Sequence, residues 1–356
     1  MPESPRPIPR PARLAIALSI AVAFVAALPA ARADDEGDAP PTASPAEPLM
    51  PDASLVTGEL ASGLAYIIAP GEADNDDGAT VSLVIRAGTI HGSPGPSGVA
   101  EIASRLPLHN SSSFAPGELD SRLGELGASL NPRRSVRTFF DSTHYHIDLP
   151  ERSSESLGLV LRMYADIARG AEGIAVDEPS VAREREAALR DLRARAGINQ
   201  RISRALLPRL LEGTPYPAHP PGGTEDGLHQ VTAAHVRAFV ERAYTPDRMT
   251  LLVTGGFDPD RVRRAIEQSF PNDKPPNDRR EHAQPAPHPG TPAETIVLRD
   301  PELPSAIVNL VRISSESPAE RTRLDLVRAL AREVALDALK RRIQRHGCAT
   351  PPDHRT

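Results

Sequence analysis

The stretch "ATVSLVIRAGTIHGSPGPSGVAEIASRLP", residues 79–107, joins a strand pattern to a helix pattern and decides how the chain begins to fold. Alternating Val81, Leu83 and Ile85 would share one face of a half-buried strand. After a loop rich in Gly and Pro, a glycine opens the helical segment and Pro107 closes it. This order predicts a strand, a loop and then a helix.

The polar side of this predicted helix carries Glu101, Ser104 and Arg105. Arg105 stays protonated and has no lone pair to offer a metal ion. Ser104 is not a general base without a partner to activate it. Pro107 lacks an amide hydrogen and its ring clashes with the carbonyl four residues back, so we expect the helix to be interrupted there.

Outside this stretch, short apolar runs alternate with helical patterns. The run "LVTGELASGLAYIIAP" around Gly63 predicts a hairpin, and "TFFDSTHYHIDLP" (138–150) and "RMTLLVTGG" (248–256) each predict a strand. Helical patterns cover 116–127, 152–169, 178–196, 199–212, 232–244 and 258–270, with one more helix ending near 345. Antiparallel-looking strands mixed with helix pairs predict an α+β fold and not a doubly wound sheet.

The composition of the two ends and of one internal segment predicts the domain organisation. Arginines followed by a short apolar run and "ARA" indicate a signal peptide over 1–33, with an uncleaved anchor as the alternative. Residues 34–53 are acidic and Pro-rich and predict a disordered linker. A main domain (54–272), a Pro-rich linker (273–293), a partial second unit (294–345) and a tail (346–356) follow.

Charge and cysteine content exclude several classes of protein. The chain has 356 residues and a formal net charge of −6, with arginines scattered along it, so it lacks the basic footprint of a nucleic-acid-binding protein. Its one cysteine, Cys348, excludes an intrachain disulfide and a thiolate-rich metal site. No membrane contact is expected beyond the signal peptide.

Five segments carry a resemblance to a known family. They are "RAGTIHGSPGPSGVAE" (86–101), "FAPGELDSRLGELGASLN" (114–131), "FFDSTHYHIDLP" (139–150), "EREAALRDLR" (184–193) and the segment 213–258. In this order they resemble the insulinase/pitrilysin-type zinc metallopeptidases, most closely their exported bacterial branch. The resemblance covers 54–272 and, more weakly, 294–345. It implies an antiparallel sheet packed by helices, as in the family's N-terminal domain, followed by a truncated second αβ unit.

The resemblance also implies where a metal site would lie. The family's inverted zinc motif, H-x-x-E-H, falls on Glu101, Ser104 and Arg105, and its distal glutamate falls on Asp191, counting from Glu184. Two imidazoles and the glutamate base are therefore missing, and we expect neither catalysis nor bound zinc. We hypothesise that the Arg105 guanidinium takes the zinc position and bridges Glu101 and Asp191. The alternative is that Arg105 points to solvent.

Histidines elsewhere offer weaker candidates for a site. His144 and His146 share one face of a predicted strand, a spacing that suits a metal pair or, more simply, a solvated face. His91 and His109 flank the helix that resembles the metal helix. These side chains keep open the hypothesis of a rearranged site.

The resemblance places a peptide-pairing edge strand near Asn131. Pro132 follows it and removes a backbone donor, which weakens the expected peptide binding. The sequence therefore predicts a periplasmic or secreted pseudopeptidase or interaction subunit, paired with an active homologue or a second-half chain. The alternatives are a working metallopeptidase with a rearranged site and a remnant without a function.

Overall fold

The computed structural model describes residues 44, 46–50, 52–71, 78–92, 94–150, 153–273, 295–303, 311 and 321–347. The predicted signal peptide, most of both predicted linkers and most of the predicted tail lie outside these residues. The described residues divide into two compact units, one within residues 50–319 and one that consists of the described residues before 50 and after 320.

The first unit contains a six-stranded sheet in the order β1-β2-β6-β3-β5-β4. The strands are β1 (Val56–Glu59), β2 (Ala65–Pro70), β3 (Ala79–Ile85), β4 (Val136–Thr138), β5 (Thr143–Leu149) and β6 (Met249–Gly255). Neighbouring strands pair antiparallel except β2 and β6, which are parallel. The predicted α+β class is confirmed, but the sheet is mixed and not purely antiparallel.

Nine helices accompany this sheet in the described part of the first unit. They are α1 (Val99–Arg105), α2 (Pro107–Asn110), α3 (Glu118–Glu125), α4 (Ser154–Ala168), α5 (Glu178–Ala194), α6 (Ile198–Leu210), α7 (Glu225–Gln230), α8 (Ala233–Ala243) and α9 (Pro259–Ser269). Side-chain caps stabilise the starts of α4, α5, α7, α8 and α9. At each start, the side chain of a Ser, Asp or Thr accepts a hydrogen bond from a backbone amide of the first turn, which has no partner within the helix.

The segment 138–150 is not the single strand that its pattern predicts. β4 ends at Thr138, and the Phe139 amide donates to the Ser142 carbonyl at 2.8 Å to close a tight hairpin before β5. The turn contains Asp141 and Ser142, residue types whose side chains favour turns.

The two faces of the sheet differ in burial. Inward side chains such as Leu83, Tyr145 and Val253 are buried against the helices, and the Tyr164 hydroxyl of α4 donates to the Val81 carbonyl at 3.0 Å. On the opposite face, β5 presents partly exposed polar residues. Burial alternates along each strand. This alternation specifies the register of the sheet, because a shift by one residue would move the buried side chains to the other face.

Close packing fixes the start of α1, and a proline accounts for its end. Gly98 precedes it with φ 104°, and a Cβ there would lie 2.6 Å from Leu228 Cδ2. A Cβ on Gly223 would lie 2.7 Å from the Gly98 Cα, so two glycines allow these segments to touch. At the other end, α1 stops at Arg105 and Pro107 starts α2, as its missing amide predicts.

The second unit contains the helix α10 (Arg323–Gly347). Thr322 and Asp325 cap its start reciprocally, with the Asp325 amide donating to Thr322 Oγ1 at 3.2 Å and the Thr322 amide donating to Asp325 Oδ2 at 3.1 Å. None of the helices in the described part of the chain combines the length and the apolar character that a membrane span requires.

Candidate functional site

The candidate site lies where α1 packs against α5. α1 presents Glu101 and Arg105 one helical turn apart, and α5 presents Glu184 and Asp191 two turns apart on one face. Arg105 and Glu184 have side chains only 5% and 4% exposed, which places a permanent positive charge in the protein interior.

The Arg105 guanidinium contacts three carboxylates. Its Nη1 donates to Asp191 Oδ2 at 2.9 Å, its Nε donates to Glu184 Oε2 at 3.3 Å, and Nη1 lies 3.6 Å from Glu101 Oε1. The structure thus brings together the three residues of the hypothesised bridge and adds Glu184 to them. Charge-assisted hydrogen bonds of this kind are the strong ones among protein hydrogen bonds.

The carboxylates differ in their pKa because their surroundings differ. Burial raises the pKa of Glu101, although Arg105 opposes the shift. Burial also acts to raise the pKa of Asp191, but hydrogen bonds from Arg133 and Arg105 outweigh it and lower that pKa. Asp191 is therefore the firmly ionised partner of the guanidinium.

A second arginine, in the loop before β4, contacts the site through Asp191. Arg133 Nε donates to Asp191 Oδ1 at 2.7 Å, and its side chain remains 59% exposed. Asn131 stabilises the turn that leads into β4. Its Oδ1 accepts a hydrogen bond from the Arg133 amide at 2.9 Å, and its carbonyl accepts one from the Ser135 amide at 2.6 Å. The side-chain oxygen of Asn131 is thus used within its own turn.

Ser104, which the resemblance aligns with the family's base, takes part in a chain of buried hydrogen bonds. Its hydroxyl donates to the Glu101 carbonyl at 2.8 Å and accepts from Thr138 Oγ1 at 2.9 Å. The Tyr145 hydroxyl donates to the Ser104 carbonyl at 2.9 Å. With these partners Ser104 joins α1 to the sheet, and no imidazole or carboxylate activates its hydroxyl.

The candidate histidines have other partners. His144 Nε2 lies 3.1 Å from Ser142 Oγ, while His146 lies 3.1 Å from Ser82 Oγ and 3.2 Å from Asp148. The His91 ring accepts from the Gly88 amide at 3.1 Å, and His109 lies in the last turn of α2. Within the described ranges, no three or more His, Cys, Asp and Glu side chains are grouped so that they could hold a metal ion.

The donor set that surrounds Arg105 fits zinc poorly. Zinc takes imidazole, thiolate or carboxylate ligands and needs an open position for water. Here a guanidinium, which only donates hydrogen bonds, already lies between the carboxylates of Glu101 and Asp191. We derive no chemical step through a metal from this arrangement.

Two members of the site were not among the predicted bridge residues. Glu184 carried a signal, because its seven-residue spacing from Asp191 places both on one face of α5. No sequence pattern pointed to Arg133, since it lies in a loop 58 residues from Asp191 in the chain.

Comparison with known proteins shows which proteins this chain is similar to. The family model "Peptidase M16 inactive domain" matches residues 230–339. The probable zinc protease PqqL of Escherichia coli is 28% identical over 212 residues, which cover 59% of this chain and 22% of PqqL. The protein YhjJ of Salmonella typhimurium is 27% identical over 225 residues, covering 63% of this chain and 44% of YhjJ.

A solved structure gives the same result. The first half of the periplasmic protease PqqL from Escherichia coli superposes with a TM-score of 0.57 and 26% identity, covering 64% of this chain and 48% of that one. The chain spans less than half the length of these relatives. The matches confirm the family resemblance drawn from the sequence, and the chain is a homologue of the insulinase/pitrilysin-type (M16) peptidases.

Proposed function

We propose that this protein is an exported, non-catalytic homologue of the M16 peptidases in which the Arg105 guanidinium replaces the metal ion. The observation that carries the proposal is the contact of Arg105 with Glu101, Glu184 and Asp191. A cation still links the two helices, but it belongs to the polypeptide. Such a site keeps α1 and α5 linked and lacks a group that activates water.

The proposed role is that of an interaction subunit. It acts beside an active homologue or a second-half chain, and the edge near Asn131 and β4 remains available for a peptide. The match of residues 230–339 to an inactive peptidase domain supports a non-catalytic role for this part of the chain.

Zinc content and peptidase activity test the proposal directly. We expect the purified protein to hold far less than one zinc per chain and to show no chelator-sensitive cleavage of a peptide library. Loss of both the base and an imidazole removes water activation, which lowers catalytic rates by many powers of ten. PqqL of Escherichia coli, purified in parallel, is the reference. Stoichiometric zinc with chelator-sensitive cleavage would establish a rearranged metallopeptidase instead.

Export is proposed from the N-terminal sequence and from the periplasmic location of PqqL. We expect the mature protein to begin at Asp34 and to be recovered outside the cytoplasm. N-terminal sequencing of the fractionated protein measures this, and a stable cytoplasmic product that begins at Met1 would contradict it.

A further inference from the structure

A hydrogen-bonded group of polar side chains lies on the open face of the sheet, opposite the face that packs against the helices. It consists of Thr80 and Ser82 on β3 and of His146 and Asp148 on β5. The two strands pair Ser82 directly with His146 and Thr80 directly with Asp148, so the four side chains share one face. This group is separate from the site around Arg105.

Ser82 and His146 form the closer of the two kinds of cross-strand pair. The His146 amide donates to the Ser135 carbonyl on the side of β4, so the pair with Ser82 is a non-hydrogen-bonded one. Ser82 Oγ lies 3.1 Å from His146 Nδ1. His146 Nε2 lies 3.2 Å from Asp148 Oδ1, which also accepts from Thr80 Oγ1 at 2.8 Å. The imidazole therefore lies between a hydroxyl and a carboxylate.

The carboxylate determines which ring nitrogen carries the proton. An ionised carboxylate only accepts hydrogen bonds, so His146 Nε2 carries the hydrogen that it donates to Asp148. In the neutral imidazole, Nδ1 then has a free lone pair that faces the Ser82 hydroxyl. Serine, imidazole and carboxylate in this order allow a histidine base to activate a hydroxyl for nucleophilic attack. The two ring nitrogens exchange their roles relative to serine proteases, but the proton moves from hydroxyl to imidazole in the same way.

The surroundings of Ser82 limit the reaction that it can undergo. The side chains of His146 and Asp148 are 52% and 74% exposed, and Ser82 is partly exposed, so a small molecule can reach the group. β3 lies between β5 and β6, so the ladders on both sides use its amides and leave none to stabilise an oxyanion. Such a hydroxyl suits a carbonyl that already carries a good leaving group, and the sheet does not assist hydrolysis of the ester that forms.

We propose that Ser82 is an acyl acceptor for small activated esters, with His146 as its general base and Asp148 as the residue that positions the imidazole. Ser82 Oγ attacks the carbonyl carbon of the ester, and its proton passes to His146 Nδ1. The bond from that carbon to the leaving oxygen breaks, the leaving group departs as an anion with the bonding electrons, and solvent takes the proton from the imidazolium. The inference is independent of the proposed function, because it involves neither a metal ion nor the cleavage of a peptide.

Treatment of the full-length protein with p-nitrophenyl acetate tests this reactivity. We expect a burst of about one p-nitrophenolate per chain, because the acetyl group stays on Ser82 once it is transferred. Mass spectrometry of the digested protein should place the acetyl group on Ser82, with or without a chelator. Acetylation confined to other residues would overturn the inference, whereas chelator-sensitive cleavage of peptides would contradict only the proposed function.

Three variants locate the nucleophile and its base. Ser82→Ala should abolish the burst, and His146→Gln should slow it at least roughly tenfold, since general-base catalysis typically contributes about 10²–10⁴-fold. Ser142→Ala is the matched control, because Ser142 Oγ also lies 3.1 Å from an imidazole nitrogen, Nε2 of His144. Burial lowers the pKa of His144 and makes it a weaker base, so this control should keep the full burst. Thermal unfolding verifies the fold of each variant, and an unchanged rate in His146→Gln would contradict the assigned base.

The tautomer of the imidazole tests Asp148, because a merely structural role would leave the tautomer unchanged. Nitrogen NMR of isotope-labelled histidines should show the His146 proton on Nε2, with the signals of His146 identified by their loss in His146→Gln. In Asp148→Asn an amide that can donate replaces the carboxylate, so this preference should disappear and acylation should slow. A wild-type proton on Nδ1, or an unchanged tautomer and rate in Asp148→Asn, would rule out the assigned role.

Discussion

Replacing Arg105 by alanine is expected to lower the free energy of unfolding by about 3 kcal/mol, because it leaves buried carboxylates without their cation. Glu101, Glu184 and Asp191 have side chains 18%, 4% and 10% exposed, so water compensates for little of the lost charge. Chemical denaturation at neutral pH measures the change. A matched control is Arg193→Ala, whose exposed ion pair with Glu225 should contribute little to the free energy of unfolding.

The double-mutant cycle of Arg105→Ala and Asp191→Ala tests whether the two residues act together. We expect clear non-additivity, with the double variant more stable than the sum of the single losses predicts. A coupling near zero would mean that no bridge exists and that Arg105 contributes only by packing.

Chemical rescue provides a second readout of the same site. Methylguanidinium at low concentration should raise the unfolding temperature of Arg105→Ala and leave wild type unchanged, because a ligand that binds only the folded state stabilises it. Urea at the same concentration serves as the uncharged control. If methylguanidinium and urea act alike on Arg105→Ala, the carboxylates do not require a cation.

Replacing Asp166 by alanine is expected to lower the free energy of unfolding by about 3 kcal/mol as well, since it removes a buried acceptor from several hydrogen-bond donors at once. Asp166 is fully buried on α4. Its carboxylate accepts from the Ser113 amide and hydroxyl, both at 2.9 Å, from Ser111 Oγ, and from Arg169 Nη1 at 2.7 Å. This carboxylate therefore fixes the segment that leaves α2, next to the interruption of the α1–α2 helix.

Asp166→Asn is the matched control because it keeps the size of the side chain and one oxygen acceptor. We expect it to retain part of the stability, whereas Asp260→Ala, at an exposed pair with Arg263, should change the free energy of unfolding little. Denaturant titration of the three variants measures this order. A loss below that of Asp260→Ala for Asp166→Ala would show that the donors find water instead.

Much of the fold follows from local patterns in the sequence. Alternation along Val81, Leu83 and Ile85 predicted a strand with one buried face, and the structure has that burial in β3. Pro107 predicted the end of the first helix because a missing amide acts locally, wherever the segment lies. The positive charge of Arg105 and its inability to act as a metal ligand likewise depend only on residue type.

Other features depend on which segments meet in space. The parallel pairing of β2 with β6 joins residues far apart in the chain, and nothing in either strand's pattern marks it. The use of Asn131 within its own turn, and the reach of Arg133 to Asp191, depend on a loop conformation that periodicity does not specify.

The sequence by itself determined which side chains lie at the positions where the resemblance implies metal ligands, because the chemistry of a side chain belongs to the residue. The tertiary structure alone decided that Arg105 lies among Glu101, Glu184 and Asp191, because α1 and α5 meet only through packing on the common core. The sequence shows that Arg105 lies four residues after Glu101, but the burial of Arg105 is a property of the whole fold.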